Sequence, residues 1–133
     1  MAVSLGFAPG QIVQEFYVDD DVDDALRDSI IADTGHELVD LDYGDVVDGV
    51  IIWWRAEDAE EEDLDDVLVD ALSNLDDGGG VIWVLSPKAG TAGSVPVADI
   101  EDSARSCGLQ CTSATKVADG WAGIRLVARG RGK

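Results

Sequence analysis

Histidine and methionine each occur once in the 133 residues and cysteine twice, so the side chains of metal and redox chemistry are scarce. Cys107 and Cys111 stand four apart, a spacing that fits neither a zinc knuckle nor a redox Cys-x-x-Cys pair. The single His36 lies far from both. Two ordinary reduced thiols are expected, a disulfide between them being the alternative, and neither a metal nor a cofactor is expected. No apolar run approaches the roughly 18 residues a membrane span requires. Met1-Ala2-Val3-Ser4-Leu5-Gly6 has no basic stretch ahead of an apolar one. That predicts a cytoplasmic protein without a signal peptide.

Basic residues are the other shortage, nine against 28 acids, for a formal net charge of −19. The charge is uneven. Residues 1–77 hold 24 acids and two bases, Arg27 and Arg55, a balance of −22, whereas residues 78–133 carry +3. Such a field repels phosphate backbones and anionic lipid, so direct binding to nucleic acid or membrane is not expected. It suits a basic protein surface or divalent cations, solubility alone being the plain alternative. The length predicts one domain over residues 1–128, and Arg129-Gly130-Arg131-Gly132-Lys133 reads as a flexible basic tail.

Apolar spacing sets the expected elements. Gln11–Val18 is rich in β-branched and aromatic residues and reads as a strand. Asp19-Asp20-Asp21 offers N-caps for a helix with Val22, Ala25, Leu26, Ile30 and Ile31 on one face, ending near Gly35. Short alternation at Glu37–Leu41 predicts a strand, and Asp48–Arg55 is a near-continuous apolar run, the mark of a strand covered on both faces. Ala56–Asp63 reads as an acidic linker able to become the first turn of a helix, ahead of a helical spacing over Leu64–Leu75 stopped by Asp77-Gly78-Gly79-Gly80. Val81–Leu85 is a second doubly covered strand, followed by a loop to Ser94, then a helix over Asp99–Ser106 closed by Gly108. Gln110–Val117 and Ala122–Val127 flank Asp119-Gly120, a hairpin signal. The order β-α-β-β-α-β-α-β-β predicts a Rossmann-like three-layer α/β sandwich, mostly parallel, with an antiparallel hairpin added at one edge.

Four segments taken together resemble a known family. They are Leu5-Gly6-Phe7 with Pro9–Glu15, Asp48–Arg55, Gly79–Gly90 and Gly120–Val127. Ile82-Trp83-Val84-Leu85-Ser86-Pro87-Lys88-Ala89-Gly90 is the most specific of them. The chain resembles the uncharacterised actinobacterial DUF3052 domain proteins along nearly its whole length, a resemblance that supplies no catalytic residues. A looser, topological likeness is to the C-terminal half of class I methyltransferases, which use S-adenosylmethionine; it implies fold and little about function.

In an open parallel sheet ligands bind beyond the carboxyl ends of the strands. That rule selects Asp19, Asp21, Trp54, Arg55, Ser86 and Lys88 as neighbours in a crevice, with Asp40 and Asp42 beside them. A dinucleotide or adenosyl cofactor needs a glycine-rich first turn, but Tyr17-Val18-Asp19-Asp20-Asp21 has no glycine and three carboxylates that repel an anionic ligand. Asp19, Asp21 and Asp23 alternate as in a calcium loop, yet Asp24 stands where its glycine belongs and Ile30 where its last glutamate belongs. Ser86 and Lys88 offer a hydroxyl and an amine with no third orienting group, so Lys88 is expected to pair with a nearby carboxylate. His36 is expected on an exposed turn.

Consecutive Trp53 and Trp54 must point to opposite faces, and Trp121, in the hairpin turn, is the tryptophan expected to be partly exposed. Two functions follow. One is a non-enzymatic binding or regulatory protein whose acidic face, with Trp121, engages a basic partner protein. The other is a nucleoside-like small-molecule binder or degenerate methyltransferase-like enzyme with its site at Asp19, Arg55 and Lys88. Mimicry of nucleic acid by regularly spaced carboxylates is a third.

Overall fold

A computed structural model describes residues 5–40, 42–75, 80–88, 90–91, 93–118 and 120–128. Leu41, Asp77 to Gly79, Ala89, Asp119 and the basic tail 129–133 lie outside these residues, as does the opening 1–4. The elements are β1 (Val13–Phe16), α1 (Asp24–Thr34), β2 (Gly49–Trp53), α2 (Ala56–Glu61), α3 (Leu64–Asn74), β3 (Val81–Pro87), α4 (Val97–Ser106), β4 (Leu109–Ala118) and β5 (Trp121–Ala128).

The two apolar runs form the interior strands β2 and β3, and the sheet order is β1-β2-β3-β5-β4. Every residue of β2 is buried, because helices cover both faces. Period-two alternation divides the core. Ile51, Trp53, Trp83 and Leu85 pack toward Leu26 and Ile30 of α1. Val50, Ile52, Ile82 and Val84 pack toward Leu68 and Ala71 of α3 and Ile100 of α4. Trp53 and Trp54 accordingly enter opposite cores, each almost wholly buried.

The mostly parallel sheet is a correction. β1–β2 and β2–β3 are parallel, but β3–β5 and β5–β4 are antiparallel and longer, with seven and eight register pairs against four and five. The hairpin does add an antiparallel pair at one edge, with its second strand β5 against β3 and its first strand β4 outermost. One reversed strand in the interior turns two interfaces antiparallel. Ile124 and Leu126 of β5 are buried, whereas Thr112 to Lys116 of β4 are exposed, so burial selects β5 for the inner place. The register of the outer strand β4 shifts between Cys111 and Ser113 and again between Lys116 and Ala118.

Three local expectations change. The strand over Glu37–Leu41 reduces to an isolated bridge of Val39 with Gln14, because the chain turns at once, with Tyr43 N–H on Asp40 O and Asp42 N–H on the Asp40 carboxylate. Helix α1 is capped by Asp23 rather than by Asp19 to Asp21; the Asp23 carboxylate accepts from Leu26 N at 2.8 Å, and Gly35 closes the helix at φ 76°. The acidic linker forms its own helix, α2, and Asp63 then caps α3.

Gly123 sits where three side chains converge. A Cβ there would lie 2.7 Å from Val117 Cγ1, 2.9 Å from Leu85 Cδ2 and 3.0 Å from Trp83 Cε3. Gly123→Ala is expected to lower unfolding stability by about 1–3 kcal/mol, the usual cost of overpacking, measured by urea titration. An unchanged midpoint would show that this side of the core has slack.

Candidate functional site

β2 delivers Arg55 to the carboxyl ends of the strands, where its side chain is 6% exposed. Its Nε and Nη2 form a fork on Asp21, at 2.8 Å to Oδ2 and 2.5 Å to Oδ1. Nη1 donates to Trp53 O at 2.9 Å, Tyr17 O at 3.0 Å and Asp58 Oδ2 at 3.2 Å. Asp58, in the first turn of α2, also accepts the Arg55 backbone N–H, so one carboxylate holds both the helix start and the guanidinium. The guanidinium lies 5.3 Å from the Trp121 ring centroid, and Trp121 in turn donates its indole N–H to Asp21 O.

Electrostatics follow this contact set. The fork from Arg55 holds the Asp21 carboxyl below the usual aspartate range against an opposing effect of burial. The same hydrogen bonds hold the Arg55 guanidinium above its ordinary value. Tyr17, whose carbonyl Arg55 grips, stands in the left-handed region at φ 64° just past β1. Behind the cluster, Trp53 packs edge-on against Trp121 at 4.9 Å and donates its N–H to Glu15 Oε2. Glu15, in the middle of β1, receives a second fork from Arg27 of α1, at 2.8 Å on both oxygens.

Of the residues expected in a crevice, the structure joins Asp21 and Arg55, and adds to them Trp121, which was expected as a partner contact instead. The Asp19 carboxylate accepts from Asp20 N at 2.7 Å and stays exposed. Ser86 is buried and its Oγ accepts from Val95 N at 3.0 Å, which ties down the loop ahead of α4. Lys88 is exposed and, among the described residues, has no ion pair, contrary to expectation; its backbone N–H binds Gly120 O instead. Trp54 leaves for the opposite core, 5.5 Å edge-on from Tyr17. Trp121 corrects the expectation of exposure, at 5% exposed, because the guanidinium and Trp53 cover its ring. His36 is exposed at its turn, and Cys107 and Cys111 are free thiols. Among the described residues no group of three or more His, Cys, Asp or Glu side chains is arranged to hold a metal ion.

Asp58, Glu15 and the Tyr17 carbonyl were missed in the sequence. The available signal was Arg55 itself, one of two bases in an acidic half-chain. Also missed was a cavity of about 410 Å³ between α2, the start of α3 and α4, with Trp54 at its lining. Glu60, Glu61, Glu62, Asp63 and Asp99 surround it. Their field is felt nearby: burial, then Glu62, Asp58 and Asp70, push the Tyr17 hydroxyl up, and burial, then Asp65, Asp63 and Asp66, do the same to the Cys107 thiol.

Comparison with known proteins places this arrangement. The model of a family described as a protein of unknown function, DUF3052, matches residues 2–130. Uncharacterised proteins of Mycobacterium tuberculosis and Mycobacterium bovis are 41% identical over 126 residues, covering 95% of this chain and 77% of theirs. Among solved structures, the magnesium protoporphyrin IX methyltransferase of a Synechocystis superposes with a TM-score of 0.56 at 13% identity, covering 90% of this chain and 71% of that one. A riboflavin-derivative dimethyltransferase of Streptomyces davawensis gives 0.53 at 15% identity, covering 87% and 41%. At such identities the likeness is one of fold.

Two outcomes follow from the Arg55 cluster. Arg55→Met takes the guanidinium donors from the Tyr17 and Trp53 carbonyls and from Asp21, leaves Asp58 only the main-chain N–H of residue 55, and is expected to lower stability by about 3 kcal/mol in chemical denaturation. Asp21 has a lowered folded pKa, so its contribution is full above the ordinary aspartate value of 3.8 and is lost as pH falls through the lower folded one. The difference in stability between the natural chain and Asp21→Asn should therefore be constant near neutrality and shrink only in that acid window. A difference that instead fades between pH 6 and 8 would rule out Asp21 as its source.

Proposed function

The chain belongs to the DUF3052 family, and on that footing we propose that it is a non-enzymatic binding or regulatory protein whose acidic face engages a basic partner protein. The observation that carries this reading is how the carboxylates are used. Glu15, Asp21 and Asp58 each meet an arginine and serve the fold. From Glu57 to Asp70 the chain holds nine acids and no base, and among these only Asp58 has an ion pair within the described residues. Charge that the fold does not consume repels itself when the protein is alone and attracts a cationic surface from a distance.

The second reading, a nucleoside-like ligand or a degenerate methyltransferase-like activity, is favoured by the solved neighbours, one of which was determined with S-adenosylmethionine bound. The residues at the strand ends do not fit such a cofactor. Tyr17 stands where close approach of a ligand needs glycine, and Asp21 and Arg55 occupy one another. Asp19 and Asp20, exposed just past β1, would also repel the ligand's carboxylate.

Native mass spectrometry after gentle purification from the host separates the two. At about 50 mM salt a basic protein is expected to remain bound and to dissociate toward about 500 mM, as screening requires. Reversing Glu57 and Asp70 together, as Glu57→Lys and Asp70→Lys, is expected to weaken the complex about tenfold. A complex undiminished at high salt overturns the reading, and a retained nucleoside supports the second.

A further inference from the structure

Three of the four indole N–H groups have an acceptor inside the protein. Trp53 donates to Glu15 Oε2 at 3.1 Å, Trp83 to Leu5 O at 3.2 Å and Trp121 to Asp21 O at 3.2 Å. The Trp54 indole has none among the described residues, although that residue is only 1% exposed. Within the same residues Gln14 Oε1 is the one enclosed side-chain nitrogen or oxygen without a partner. The Trp54 nitrogen is thus not sealed off, and Trp54 is among the residues that line the cavity between α2 and α4. A buried donor held at a cavity floor offers a hydrogen bond to whatever enters.

The walls restrict what that is. Glu60, Glu61, Glu62 and Asp99 form no ion pairs among the described residues, and they reject phosphates and carboxylates. Ala59, Leu64 and Val95 give the cavity an apolar side on which an alkyl stem can lie. At about 410 Å³ it is large enough for one long side chain with its peptide unit. The matching ligand carries a cation, an aliphatic stem and a carbonyl acceptor. A polyamine has the first two only; a lysine or arginine within a peptide has all three.

We infer that the Trp54 cavity receives a basic residue of a partner's peptide chain. Its cationic head meets the carboxylates, its stem lies along Leu64 and Val95, and a main-chain carbonyl accepts from the Trp54 indole. This rests on the acidic-binding reading above and adds the place and chemistry of contact. Arg55, next in sequence, does not compete for these carboxylates, because its guanidinium is committed to Asp21 and Asp58, neither of which lines the cavity.

The test uses the full chain, nitrogen-15 labelled, with a blocked peptide acetyl-Gly-Lys-Gly-Arg-Gly-amide as one probe and spermidine as the other. The peptide is expected to move the Trp54 indole resonance and leave those of Trp53, Trp83 and Trp121 in place. Trp54→Phe, which keeps a ring but removes the donor, should weaken the peptide about fivefold, the loss of one neutral hydrogen bond, and leave spermidine unchanged. Ala59→Leu, at the cavity wall on α2, narrows the cavity while keeping the Trp54 indole and should abolish the peptide's effect on its resonance. An unmoved Trp54 resonance, or an equal shift with spermidine, overturns the peptide assignment. If the peptide binds in a salt-sensitive manner without touching Trp54, the cavity inference falls and the acidic-binding reading stands; if no basic probe binds at low salt, both fall.

Discussion

A guanidinium withdrawn from water must find a partner for its charge and for its donors in the same place, and the strand ends of this protein are organised by that requirement. Arg55 takes a carboxylate fork from Asp21, two main-chain carbonyls at the exits of β1 and β2, and the first-turn carboxylate of α2. Lysine could supply the charge but not the planar fork that meets Asp21 on two atoms. The segment after β1, the start of α2 and the first residue of β5 are therefore fixed by one side chain. The left-handed backbone at Tyr17 is part of the same arrangement, since it presents the carbonyl that Arg55 binds.

Much of the frame was legible because its signals are local. The apolar runs around Val50 and Ile82 read as doubly covered strands, and the spacing from Leu64 to Leu75 read as a helix. The place of β5 was not legible from its Asp-Gly turn, which says that two strands pair but not which one faces the sheet. Composition held that answer: the polar run from Thr112 to Lys116 suits an outer strand, and Ile124 and Leu126 suit an inner one. Helix α2 escaped notice because it buries no residue and so has no apolar period. Trp121 was misread because a turn position was equated with exposure, whereas its ring is covered from two other elements.

The Arg55 cluster was half legible. One of only two cations in an acidic half-chain is conspicuous, but with 24 carboxylates in the first 77 residues nothing local selects Asp21, 34 positions away, as its partner. Nor could spacing reveal that consecutive Trp53 and Trp54 serve different ends, one satisfied by Glu15 inside the fold and the other facing a cavity. The acids divide in the same way. Those near Arg27 and Arg55, Asp58 of α2 among them, are spent on cohesion, and the other acids of α2 and α3 form no ion pair among the described residues.

The hydrogen bond from Trp121 to the Asp21 carbonyl joins residues 100 apart in the chain. A contact of that span closes a long loop and cannot form until the last strand has docked. Until then the dense negative charge of the first 77 residues, at −22, opposes compaction with only two arginines to offset it. β5 also contributes the central antiparallel interface with β3. A chain without β5 would lack both the inner strand of its sheet and the ring over its buried cation. The segment after β1 is thus held in part by a strand that begins a hundred residues later.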